Sequence, residues 1–220
     1  WSYLSGAHLV SRSTGYEHPR RRFRSCAPLL ISAQQLKDML DPMQNDHTNL
    51  ILLSGPVGVG KTSVAEELSG LLERDQIAHT FIDLDGLSKT YPRPDGDPFG
   101  EQMALRNLRD VWANARDLGV KILILARVIE SREGAQRIAQ AVGAVDSQII
   151  QLNARDETLL DRVRRRETGI GRAWHEDRAL ALSSQLRGSG LAHHEIETDA
   201  KTVAEIAREV RQVIKLNQTF

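Results

Sequence analysis

Residues 49–72 read NLILLSGPVGVGKTSVAEELSGLL. The opening NLILLS is a short apolar run of the kind that forms a strand buried on both faces. The closing stretch has apolar residues at 64, 65, 68, 71 and 72, the spacing of a helix with one buried side. Between them lie Gly55, Gly58 and Gly60, which let the backbone turn tightly and aim successive N–H groups inward. The helix that starts near Lys61 adds the positive end of its dipole at the same place. Strand, turn and helix thus form one unit whose centre suits a multiply charged oxyanion. A fold that carries this unit must bury the strand inside a sheet and lay the helix across that sheet.

The turn satisfies G-x-x-x-x-G-K-[ST] in full, through Gly55, Gly60, Lys61 and Thr62. A strand before and a helix after are the setting this pattern requires. The expected ligand is a nucleoside triphosphate, ATP being the first choice, with Mg2+ beside it. Gly55, Pro56, Val57, Gly58, Val59, Gly60, Lys61, Thr62 and Ser63 form the expected cradle. Lys61 is suited to bridge the β- and γ-phosphates, and Thr62 to put its hydroxyl on the metal. The loop alone does not choose between ATP and GTP.

The rest of the chain repeats the alternation. Strands are expected at 79–85, 120–126, 147–154 and 193–198, and helices at 101–119, 131–143, 156–167, 176–188 and 203–216. Strands alternating with helices imply a parallel sheet covered on both faces. The expected class is therefore α/β, a three-layer P-loop NTPase fold with five parallel strands. The 220 residues suffice for one such domain, at 49–217. Residues 1–48 are expected to be an N-terminal tail, basic at HPRRRFRS, with one short helix at 32–43 that Ser32 can cap and Pro42 ends.

Lys plus Arg and Asp plus Glu number 29 each, so the formal net charge is zero. That balance argues against a protein that coats nucleic acid. A single cysteine, Cys26, excludes an internal disulfide and points to a reducing compartment such as the cytoplasm. No apolar run reaches the ~18 residues of a membrane span; the longest, VKILILARVI, is interrupted by Arg127.

In an open parallel sheet, ligands bind outside the carboxyl ends of the strands. The second strand ends there with FIDLDG, which supplies Asp83 and Asp85. A carboxylate beside a γ-phosphate can accept a hydroxyl proton or hold a metal-bound water. Asp85 is expected as base or substrate orienter and Asp83 on the metal side, although the sequence leaves the choice of base between them open. The third strand ends LILARV, with no acid before Glu130, so it lacks an ordinary Walker B carboxylate. The N-K-x-D motif by which GTPases read their base is also missing.

The insertion SKTYPRPDGDPFGEQ holds Asp95, Asp97, Tyr91 and Phe99 and is expected to shape an acceptor pocket. Arg106 and Arg127 are candidate partners for an anionic acceptor. Arg127 has the stronger case, because an arginine that ends a buried strand needs a partner. Later, RVRRRETGIGR places Arg164, Arg165 and Arg166 at a helix end, where cations complement the dipole, and Gly169 and Gly171 just beyond. A mobile lid is expected at about 166–177. Arg166 and Arg172 are the candidates for the transferring phosphoryl group, and Arg162 for the nucleotide.

The glycine loop, LDG after the second strand, ARDETLLDRVRRRETG and ETDAKTVAEIAREV together make residues 49–215 resemble the small P-loop kinases. That group includes adenylylsulfate, gluconate and shikimate kinases and chloramphenicol phosphotransferase. The GDPF, LRNL, VWAN and RRRETG segments are also similar to a group of actinobacterial P-loop NTPases. The resemblance implies ATP- and Mg2+-dependent phosphotransfer to an alcohol group of a small molecule, completed by an arginine lid. The chain departs from adenylylsulfate kinase at Leu84-Asp85-Gly86-Leu87, where that family has LDGD. Two other readings stay open. One is a nucleotide-binding regulator or slow NTPase without a dedicated acceptor. The other is a kinase of larger acceptors, because DLDGLSKTYP is distantly similar to zeta-toxin and polynucleotide-kinase sequences.

Overall fold

The computed structural model describes residues 47–145 and 147–216. The helix expected at 32–43, the tail around it and Cys26 lie outside the described residues. From Thr48 on, the chain runs β1 (Asn49–Ser54), α1 (Lys61–Arg74), β2 (Thr80–Asp83), a 3-10 turn (Gly86–Ser88), α2 (Glu101–Asp117), β3 (Ile122–Ala126), α3 (Arg132–Val142), β4 (Ser147–Asn153), α4 (Asp156–Arg166), α5 (Arg172–Leu186), β5 (His194–Glu197) and α6 (Val203–Val213).

All five strands are parallel, in the order β2-β3-β1-β4-β5. The first strand is therefore the central one, hydrogen-bonded on both edges. Ile51 lies level with Ile124 on one side and Gln148 on the other. Strand side chains alternate between faces, and the core divides on that parity. Ile51 and Leu53 join Val64, Leu68 and Leu72 of α1 and Ile206 and Val210 of α6. Leu50 and Leu52 join Leu108 and Trp112 of α2 and Ile138 and Val142 of α3. Two helical layers thus sandwich one sheet, as the alternation of elements required.

The details depart from the periodicity in places that matter later. β2 ends at Asp83, not at 85: Asp85 opens the 3-10 turn, and its carbonyl accepts from the N–H of Ser88. On α2 the buried residues are Ala104, Leu108 and Trp112, whereas Val111 is exposed. The helix is rotated to seat Trp112, whose Nε1–H donates to the hydroxyl of Thr48 and the carbonyl of Val142, both at 3.2 Å. No side chain caps α4; Asp199 holds its start from outside, accepting from the Arg155 N–H at 2.9 Å and the Thr158 hydroxyl at 2.6 Å. Asp156 accepts from Ser183 on α5. Finally, α5 begins at Arg172, four residues before the helix expected at 176, because the Gly171 carbonyl already accepts from the His175 N–H and lies 2.9 Å from its Nδ1. Ser131 caps α3 as expected, accepting from the Gly134 N–H. No helix among the described residues is long and apolar enough to cross a membrane.

Trp112 is fully buried and links α2, the entry to β1 and the end of α3. Trp112→Phe keeps most of its apolar surface but leaves the Val142 carbonyl with one donor fewer. It should destabilise the domain by about 1–3 kcal/mol in urea unfolding followed by circular dichroism; an unchanged midpoint would show that the indole bonds contribute nothing.

Candidate functional site

The loop between β1 and α1 is held against its neighbours on two sides. Gly55 has φ of +138°, and a Cβ there would lie 2.4 Å from the carbonyl oxygen of Leu152 on β4. Gly58 has φ of +83°, and its Cβ would meet Val163 of α4 at 2.9 Å. Only glycine serves at either position, for want of space and for backbone conformation alike. Gly60, also left-handed, precedes the first turn of α1. That turn has no acidic residue, and no side chain caps it. Its N–H groups are free to meet an outside anion.

Lys61 curls over this loop. Its ammonium donates to the carbonyls of Gly55 at 2.9 Å and Pro56 at 3.0 Å. Burial pulls its pKa from 10.5 down to about 8; Asp85 and Asp83 oppose that shift, while Arg166 adds to it. Both acids and Arg166 thus lie within electrostatic reach of the lysine. A cradle with no room for a Cβ, a ring of free N–H groups and a desolvated cation fit a bound polyphosphate.

Beside the lysine, the Thr62 hydroxyl donates to Asp83 Oδ2 at 2.9 Å. The other carboxylate oxygen of Asp83 accepts the Asp85 N–H at 3.1 Å, which fixes the turn that carries Asp85. Hydroxyl and carboxylate together are the hard oxygen donors that Mg2+ prefers. Asp85 lies past the end of the strand, its side chain 62% exposed, with Arg127 Nη1 3.9 Å away. Ser54, which ends β1, accepts the Ile129 N–H at 2.9 Å and so pins the loop that follows Arg127.

Arg162 is fixed more firmly than its surface helix suggested. It donates to the Val59 carbonyl, the Thr198 hydroxyl and the Thr198 carbonyl at 3.2, 3.0 and 3.2 Å. It borders a groove of about 290 Å3 that runs from Gly58 and Gly60 past Arg162 and Lys201 to Val203 and Ile206. Pro56 and Val57 belong to the loop itself, Val59 is buried beneath it, and Ser63 opens onto the groove.

The remaining arginines are arranged differently. Arg166 pairs with Glu167 at 3.0 Å, and Arg172, now on α5, pairs with Glu176 at 3.5 Å. Glu176 also takes Arg164 at 3.1 Å. Arg106 is not brought to the acids; it lies exposed in a shallow groove between α2 and α3 with Arg109 and Arg137. Of the insertion residues, Asp97 is buried and accepts the N–H groups of Glu101 and Met103 at the start of α2, whereas Tyr91 and Phe99 are exposed. His193 accepts the Ile149 N–H at its Nδ1, a structural duty.

Three participants escaped sequence reasoning: Ser54, Thr198 and Lys201. The last two lie in TDAKT, directly after the fifth strand. Their position at the sheet's carboxyl edge was the available signal.

No curated protein sequence matches the chain. Among solved structures, a sugar kinase from Janibacter sp. HTCC2649 superposes with a TM-score of 0.54 at 18% identity, over 75% of this chain and 93% of that one. The tunicamycin resistance protein of Deinococcus radiodurans gives 0.53 at 22% identity, over 76% and 95%. At such identities the likeness is one of fold, and it is the fold of the small P-loop kinases. The family model AAA_18, described as AAA domain, matches residues 51–182. That stretch exceeds half of the sequence, and the chain belongs to the AAA domain family.

Proposed function

We propose that this protein is an ATP-dependent phosphotransferase that phosphorylates a hydroxyl group of a small molecule. The observation that carries this reading is the Thr62–Asp83 hydrogen bond with Asp85 on the next turn. It joins the phosphate loop to two carboxylates at the sheet's ligand edge. ATP supplies the transferable phosphoryl group, and Thr62 and Asp83 are the residues that would hold Mg2+, whose charge would offset that of the phosphates.

The roles of the side chains follow from their positions. The N–H groups at the start of α1 and the Lys61 ammonium hold the phosphate oxygens, and Lys61 leaves its two carbonyl partners to do so. Asp85 is exposed enough to meet an acceptor and takes its hydroxyl proton at a carboxylate oxygen. Arg127, 3.9 Å away, orients Asp85. Arg166, already within electrostatic reach of Lys61, adds positive charge where the transferring group gathers negative charge. Arg172 reaches that group only by exchanging Glu176 for it. Arg162 is the platform at the nucleotide's other end. Arg106 is left without a role at this site.

A direct test measures transfer from labelled ATP across a panel of hydroxylated metabolites. Lys61→Ala should remove both binding and turnover. Asp85→Asn should keep nucleotide binding and lower transfer by roughly 10^2- to 10^4-fold, the usual worth of a general base. Full transfer in Asp85→Asn would remove the base assignment. ATP hydrolysis that no acceptor accelerates and that Asp85→Asn does not slow would favour the slow NTPase.

A second test uses pH. The ligand-free lysine gives up its proton near pH 8, whereas a bound phosphate would hold that proton to higher pH. Above pH 8, binding therefore takes up a proton, and affinity should fall with rising pH, approaching about tenfold per unit. Calorimetric titration of ADP between pH 7 and 9.5 reads this slope; Lys61→Met should bind weakly and show none of it.

A further inference from the structure

The loop after β5 runs from Thr198 to Thr202, and nearly all its polar groups serve the fold. Thr198, fully buried, holds Arg162 through its hydroxyl and its carbonyl. Asp199 holds the start of α4. Ala200 takes a left-handed φ of +56°, unusual for a residue with a side chain. Thr202 caps α6 in a capping box closed by Glu205. The loop is thus fixed at both ends and bent in the middle. Lys201 is the exception: it borders the groove beside the phosphate loop, its ammonium donating to Glu209 at 2.7 Å.

We propose that Lys201 reads the edge of the nucleobase and makes this protein accept guanine nucleotides at least as well as adenine nucleotides. The inference rests on the nucleotide reading of the site. With the γ-phosphate directed at Asp83 and Asp85, the base extends the other way, along the groove. There the guanidinium plane of Arg162, held by three hydrogen bonds, offers a flat platform, and Val203 and Ile206 offer an apolar wall. Lys201 lines the same groove and carries an ammonium with three N–H donors and no acceptor. Glu209 occupies one of those donors and anchors the group. The Hoogsteen edge of guanine presents two acceptors, O6 and N7, whereas that of adenine presents N7 beside the N6 amino donor. A donor-only group therefore satisfies both positions of guanine and one of adenine. Neither Asp83 nor Asp85 belongs to this discrimination, so it is separable from transfer.

Calorimetric titration of the full chain with ADP and GDP, in the presence of Mg2+, tests the proposal. The expected result is GDP binding at least as tight as ADP binding. Lys201→Gln, which offers an acceptor as well as donors, should move the ratio of the two dissociation constants toward ADP by about tenfold. Lys201→Arg, donor-only like the original, should keep the ratio, and it guards against a general loss of folding. A ratio unchanged within twofold in Lys201→Gln overturns the proposal, as does wild-type binding of ADP without GDP. Binding of neither nucleotide removes the nucleotide reading and the proposal with it; binding of both with an unmoved ratio removes the proposal alone.

Discussion

The close approach of the phosphate loop to β4 and α4 governs the arrangement of everything else at the sheet's ligand edge. With the Leu152 carbonyl 2.4 Å from where a Gly55 Cβ would stand, and Val163 2.9 Å from that of Gly58, the loop has no slack on either side. It is fixed to the central strand at one end and to α1 at the other. Whatever touches the loop is therefore placed relative to the whole sheet. Thr62 carries that placement to Asp83 on β2, and Arg162 carries it to Thr198 beyond β5. Two outer strands, separated by three others, thus take their functional positions from one turn.

Much of this was legible in the sequence, and the reason is physical. Helices with one buried side announce themselves by their period, as α3 and α6 do, and the central strands by short apolar runs between turns. The loop announced itself because its glycines have no substitute. Asp83 and Asp85 were legible because a parallel sheet binds ligands at one edge only. What the sequence hid were the partnerships made across the fold. Nothing local says that Asp199 accepts the Arg155 N–H, or that Arg162 lies against Thr198 rather than in solvent. Those depend on which loops the topology brings together, and the strand order settles that only after folding.

The same distinction separates the arginines. Arg106 and Arg127 were both candidates to hold an anionic acceptor, Arg127 the stronger of the two. The end of β3 brings Arg127 to Asp85, while the rotation of α2 that seats Trp112 leaves Arg106 facing the groove toward α3. A helix of 17 residues presents every direction in turn, so a charge on it is uninformative until the buried face is known. A charge at a strand end has far fewer options.

Arg164, Arg166 and Arg172 each hold a carboxylate, the first and last sharing Glu176 and the other taking Glu167. Three consecutive guanidinium groups left bare at the end of α4 would repel one another and loosen its last turn. Glu167 and Glu176 relieve part of that repulsion, and any phosphate that draws a paired arginine in exchanges one ion pair for another. The strength of the grip is then the difference between two half-exposed pairings, each worth about 1 kcal/mol or less in water. Under the proposed phosphotransfer, an arginine clasp built on such a small difference would let go as readily as it closed, as release of product on every cycle requires.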